Sequence, residues 1–286
     1  MPVDIASLTA DLGAESAALD ELVTGLGPAG WAKPTPASGW TVRDQIAHLA
    51  YFDEATVLAV TEPETFRAEA RDLLAGGDDF VDRITAAYRH VTDGHVAVWY
   101  RAARRELLAV LGAAPPGAPS TGPVPWFGPD MSLASTVTAR IMETWAHGQD
   151  IADALGVTRR PTAVLRHIAH LGVRTAAFSF TNRGRPAPGV PVRVELDGPD
   201  GERWTWGPAE AANTVRGDAL DFCLAVTQRR HRDELGLRVT GPVADAWMSI
   251  AQAYAGPPGP GRPGPGSGRA GPGPGWAGPG PGWAGM

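Results

Sequence analysis

A four-helix bundle followed by a smaller α+β unit is the fold class predicted from this chain. Three observations predict it. Up to about residue 155, apolar residues recur at a helical period in long segments divided by Gly- and Pro-rich breaks. Beyond about residue 190 the pattern changes to short alternating runs, the period of strands. The last 31 residues hold 13 Gly and 9 Pro and no acidic residue, so they offer little to a core. The chain is therefore divided into a helical bundle (1–158), a small α+β domain (159–255) and a disordered Gly/Pro-rich tail (256–286).

In the bundle, Ile5, Leu8, Leu12, Leu19, Leu22 and Leu26 mark the first helix, which Gly27-Pro28 stops. A Pro-rich loop, 32–39, follows. A second helix is expected from Trp40-Thr41 to about Val60, with Thr41 as N-cap and Asp44 completing a capping box. Val42, Ile46, Leu49, Phe52 and then Val57 form its apolar stripe. The region Glu64–Leu111 reads as one short and one long helix broken near Gly76-Gly77. A loop with six prolines spans 112–129. The fourth long helix runs from about Ser132 to Leu155 and closes at Gly156, with Val137, Ile141, Trp145, Ile151 and Leu155 on its buried side.

In the second half, a helix is expected over Thr162–Phe180. Strands are expected at Val190–Leu196, Arg203–Trp206 and Leu237–Thr240, and helices at Asp218–Val226 and Ala244–Tyr254. In the tail the segment GPGPGWA occurs twice, at Gly271–Ala277 and Gly278–Ala284. Glycine there recurs mostly at every second residue, which is not the collagen period.

The chain of 286 residues carries 25 Lys+Arg against 31 Asp+Glu, a net charge of −6. An acidic balance without a basic block argues against nucleic-acid binding. One cysteine, Cys223, excludes an internal disulfide, a Cys-based zinc finger and a Cys-ligated iron–sulfur cluster. No apolar run reaches the length of a membrane span, and the first residues carry acids where a signal peptide carries Lys or Arg. A cytoplasmic protein with no membrane partner is expected.

Chemistry-bearing residues concentrate in two segments. Glu143 and His147 are i,i+4 neighbours and project from one face of the fourth helix. His48 lies in the second helix. Facing helices of a bundle can bring such side chains to one metal ion. Two imidazoles and a carboxylate, with a position left for water, form the ligand set of a catalytic zinc. The plainer reading is a surface Glu/His pair and a core histidine. His167 and His170, an i,i+3 pair, have no carboxylate nearby in sequence. His90 and His95 flank a turn expected at Asp93-Gly94. Cys223 sits in an apolar helical stretch and reads as a buried, inert thiol.

The pairing of GWTVRDQIAHLA (39–50) with METWAHGQDI (142–151) resembles the N-terminal domain of mycothiol-dependent maleylpyruvate isomerases. That domain belongs to the DinB-like four-helix bundle superfamily. The later segment 215–256 is similar to an uncharacterised actinobacterial group of metal-binding proteins, whose α+β part is sterol-carrier-like. The resemblance implies a divalent metal, commonly Zn²⁺, on His48, Glu143 and His147. It implies a low-molecular-weight thiol, mycothiol, as cosubstrate, and a small electrophile as substrate. The function expected is thus a metal-dependent isomerase or S-transferase, the alternative being a non-catalytic, metal-braced binding protein. A closed site would take Asp150 or Asp44 as fourth ligand, and Asp150 could instead orient a ligand. A substrate carboxylate would need Arg, for which Arg216, Arg229, Arg230 and Arg232 are candidates; Arg43 reads equally as a structural ion pair. Some similar proteins carry names linked to the tRNA base wyosine. The radical chemistry of that pathway needs three clustered cysteines, and this chain has one.

Overall fold

The computed structural model describes residues 4–77, 79–113, 123–259 and 261. The tail repeats and the central part of the proline-rich loop lie outside the described residues. The chain separates into two compact units, the first ending at Thr158 and the second beginning at Arg159.

The first unit holds α1 (Ile5–Val23), α2 (Pro28–Trp31), α3 (Val42–Thr61), α4 (Pro63–Ala75), α5 (Phe80–Ala87), α6 (Asp93–Gly112) and α7 (Leu133–Leu155). A two-stranded ladder, β1 (Pro123–Val124) with β2 (Met131–Ser132), precedes α7. Helices α1, α3, α6 and α7 form the bundle: α1 and α3 each pack on both α6 and α7. The caps explain the ends. Asp4 accepts the first free N–H groups of α1, Ser132 caps α7, and Gly156 closes α7 in the left-handed conformation at φ 73°. At α3 the Thr41 side chain accepts from the Asp44 N–H while Asp44 accepts from the Thr41 N–H, the capping box expected. Leu12, Leu19, Ile46, Leu49, Leu107 and Ile141 are wholly buried between the helices.

A charged cluster is sealed into this core. Asp53 on α3 accepts from Arg104 Nε and Nη2 of α6 at 2.6 and 3.1 Å and from Arg140 Nη2 of α7 at 2.9 Å. Arg104 also donates to Ser16 of α1 and Thr144 of α7. The cluster therefore ties all four bundle helices together.

The second unit holds α8 (Leu165–Arg174), α9 (Ala176–Thr181), β3 (Val192–Asp197), β4 (Arg203–Trp206), β5 (Asn213–Asp218), α10 (Ala219–Val226), a 3₁₀ turn (Arg232–Glu234), β6 (Arg238–Thr240) and α11 (Pro242–Met248). The sheet order is β4-β3-β5-β6, with β3 and β5 parallel and the outer pairs antiparallel. Helix α8 lies close on α10, because Gly172 meets Val226: a Cβ there would come within 2.8 Å of Val226 Cγ2.

Four local expectations are corrected. The stretch 64–111 forms three helices, not two, because Thr92 caps a new one at His95 N; Asp93-Gly94 is its first turn rather than a loop. The helix expected over 162–180 begins at Leu165 and breaks at Thr175, whose hydroxyl bonds back to the Leu171 and Gly172 carbonyls. The last helix ends at Met248, because the chain turns to pair Gln252 N with Ser179 Oγ and Ala253 N with the Val226 carbonyl. Strand β5 was not expected, since its burial runs in a block rather than alternating.

Candidate metal centre

Helices α3 and α7 place His48, Glu143 and His147 together: one potential ligand atom from each lies within 4.8 Å of the others. His48 Nε2 is 3.9 Å and His147 Nε2 is 3.2 Å from the same oxygen, Glu143 Oε2. The i,i+4 spacing puts Glu143 and His147 one turn apart on α7. The bundle packing brings His48 across from them, with the two imidazole centroids 4.4 Å apart.

The surroundings are apolar and aromatic. Trp40 lies 5.2 Å from the His48 ring and stacks at 6.0 Å on His147, and Phe52 lies 4.6 Å from His48. Trp40 is fixed by a hydrogen bond from its indole N–H to Asp82, at 2.9 Å. His48 is 1% and His147 6% exposed, so little water reaches them.

This burial sets the protonation states. Desolvation, aided by His147, lowers the His48 pKa from 6.5 to about 3, so that imidazole is uncharged at neutral pH. Burial pushes the Glu143 carboxyl up, but hydrogen bonds with His147 and His48 outweigh it and hold the group well below the usual carboxylate range. An ionised carboxylate beside an uncharged imidazole is the state in which such groups ligate metal. The donor set, two nitrogens and one carboxylate in a buried cleft between helices, fits a borderline divalent ion such as Zn²⁺.

The other residues singled out from sequence fall elsewhere. Asp44 is occupied by the α3 cap and by Arg89 at 3.1 Å, which removes it as a fourth ligand. Asp150 is buried but is not part of the three-residue group. His170 accepts from Trp206 Nε1, and His167 and His170 belong to no metal-competent group among the described residues. His90 and His95 are exposed. Cys223 is wholly buried, and desolvation with the charge of Asp218 raises its thiol pKa well above 9.0. Arg43 is structural: it pairs with Asp93 and donates to the Tyr88 and Arg89 carbonyls. Arg216 is paired with Glu195 and Arg232 with Asp245. Sequence reasoning gave no role to Gln45, whose amide contacts His147, nor to Trp40. Gln45 lies three residues before His48, on the same helical face, and that spacing was the available signal.

A sequence profile of the mycothiol maleylpyruvate isomerase N-terminal domain matches residues 12–152. An uncharacterised protein of Mycobacterium tuberculosis, found alike in two strains, is 46% identical over 259 residues, spanning 91% of this chain and 99% of its own length. The chain belongs to the mycothiol maleylpyruvate isomerase-like family. The crystal structure of a mycothiol-dependent maleylpyruvate isomerase superposes with TM-score 0.56 at 15% identity, over 83% of this chain and 93% of that one. A histidine-to-alanine mutant of a mycothiol-dependent maleylpyruvate isomerase gives 0.55 at 15% identity, over 82% and 93%. At that identity the likeness is one of fold: a DinB-like helical bundle joined to a small α+β unit. A second profile, described as wyosine base formation, matches residues 188–237, within the family's α+β part.

Proposed function

We propose that this protein is a metal-dependent, thiol-using enzyme, an isomerase or S-transferase acting on a small electrophile in the cytoplasm. His48, Glu143 and His147 would hold the divalent ion, Zn²⁺ by donor type. The single observation that carries the reading is the convergence of these three buried side chains within 4.8 Å. When bound, such an ion lowers the pKa of a water or thiol beside it to near neutrality. The chain's own residues do the rest. Glu143 contributes the one negative charge among the three ligands. Trp40 and Phe52 keep water from the imidazoles.

Three protein ligands among the described residues, rather than four, favour a reactive centre over a structural brace. The protein's single cysteine is buried and its thiol is held protonated, which supports a diffusible thiol as the sulfur source. Mycothiol is the thiol we propose, following the family. The wyosine label of the second profile is not adopted. One buried cysteine cannot ligate an iron–sulfur cluster.

The test is metal content in the purified full chain and in His48→Ala, Glu143→Ala and His147→Ala. About one metal per chain is expected in the wild type, lost in each variant. Turnover of maleylpyruvate with added mycothiol then tests the substrate. Metal-free protein after metal-replete purification would overturn the reading.

A further inference from the structure

The ring of His147 can present either nitrogen to the centre, and the structure contains a device that decides which. Thr35, in the loop before α3, lies 2.9 Å through its Oγ1 from the Trp40 carbonyl. The Ala37 carbonyl lies 3.5 Å from the same oxygen; carbonyls only accept, so the single Thr35 hydroxyl proton goes to one of these two. Toward Gln45 the same oxygen can therefore only accept, and the Gln45 amide nitrogen donates to it at 2.9 Å. That fixes the amide orientation: the nitrogen faces Thr35 and Oε1 faces His147 Nδ1. An amide oxygen has no proton to give, so His147 Nδ1 donates to it. Nε2, 3.2 Å from Glu143, donates to that carboxylate when no ion is present; it is the nitrogen that faces the centre, and an ion bound there would take the place of its proton.

We propose that Gln45, held by Thr35, is a positioning residue that keeps a proton on His147 Nδ1 and fixes the ring orientation, and so presents Nε2 to the metal. Its purpose rests on the metal-centre reading; its geometry does not. Gln45 is wholly buried, at 0% exposure, so no water competes for the bond. The choice of a neutral amide has a consequence of its own. A carboxylate at this place would add a second negative charge beside Glu143. With glutamine the three ligands carry a single charge. A divalent ion there keeps a net positive charge, which favours an anionic thiolate or carboxylate as the next ligand.

Two measurements on the full chain test this. The first is long-range ¹H–¹⁵N correlation on histidine-labelled, metal-free protein at about pH 8, above the ordinary histidine range. His147 is expected to carry a proton on Nδ1; an unprotonated Nδ1 overturns the proposal. This reading is independent of whether the wild type binds metal, so the two ideas fail separately. The second is Zn²⁺ affinity by competition with a chromophoric chelator. Loss of such an outer partner costs about 10–100-fold in metal affinity. Gln45→Leu should show that loss, and Gln45→Glu, which keeps an acceptor, should restore most of it. Thr35→Val lies off the ligands and releases the amide, so it should weaken binding several-fold without removing it; it also serves if Gln45→Leu fails to fold. Unchanged affinity in Gln45→Leu, or in Thr35→Val where that variant stands in, overturns the proposal. So does a loss that Gln45→Glu does not repair.

Discussion

Replacing Asp53 by asparagine keeps the shape of the side chain and removes its charge. Asp53 is 0% exposed and pairs with two guanidinium groups, Arg104 and Arg140, themselves 4% and 2% exposed. Stripping one partner from a buried pair leaves charge uncompensated in a medium that solvates it poorly, at about 3–5 kcal/mol. For a body of this size each kcal/mol is worth about 2–4 °C, so Tm should fall by about 6–20 °C. Urea and thermal unfolding of metal-free protein, followed by circular dichroism, would measure it. Asp130→Ala is the control. Asp130 pairs with Arg67 at 2.7 Å, but both are more than a third exposed, and such a pair is worth at most about 1 kcal/mol. A second comparison separates charge from packing: the triple change Asp53→Leu, Arg104→Met and Arg140→Met removes Asp53 and both guanidinium groups and should recover much of the loss, the buried Glu15 that also acts on Arg104 remaining. If Asp53→Asn stays within about 1 kcal/mol of wild type, the cluster is not dry and the reasoning fails.

Further outcomes are expected. Saturating Zn²⁺ should raise the wild-type Tm, by the mass-action stabilisation of about 2.7 kcal/mol at a hundredfold excess over Kd, and His48→Ala should abolish the rise. Alkaline stability has a defined onset. Burial, with Tyr88, Glu69 and Glu54 nearby, raises the Tyr51 pKa from 10.0 to about 12, so between those values the unfolded chain holds fewer protons and stability falls as pH rises. Urea midpoints measured from pH 9 to 12, with Tyr51→Phe flattening the slope, check the sign. Iodoacetamide should label Cys223 at the rate of unfolding and not before, because the thiol is buried and protonated; rapid labelling of native protein would contradict the packing of α10 on α8. Deleting 262–286 should leave metal content and Tm unchanged, whereas deleting from 256 should destabilise the second unit. Asn182 and Gln252 donate to the Gly256 carbonyl, and Arg183 to that of Gly259.

What the sequence made legible was mostly local. The Thr41–Asp44 capping box and the Gly156 stop need only a few consecutive residues, and both stand as expected. The capping of α6 by Thr92 was equally local but was masked by Asp-Gly, which reads as a turn unless the preceding threonine is weighed as a cap. Strand β5 gave no alternation, because its first three residues are all buried between parallel β3 and antiparallel β6. For the centre, the spacing of Glu143 and His147 showed a shared face, but that His48 meets them followed from family resemblance, since no local signal spans α3 to α7. The Thr35–Gln45–His147 chain was invisible for the same reason: its last link joins residues 102 apart. The charge cluster around Asp53 depends on contacts from all four helices, so no single segment announced it.

If His48, Glu143 and His147 hold an ion as proposed, their distribution along the chain also governs when the centre can exist. His48 leaves the ribosome well before Glu143 and His147, and the intervening chain includes α4, α5 and α6. Neither half offers more than two of the three donors. A nascent chain therefore has no complete site to load until α7 has emerged and docked on α3. On the proposed reading, metal capture would complete the assembly of the bundle rather than seed it. A protein arrested before α7 should release any ion it meets, which makes metal occupancy a gauge of finished assembly of the bundle.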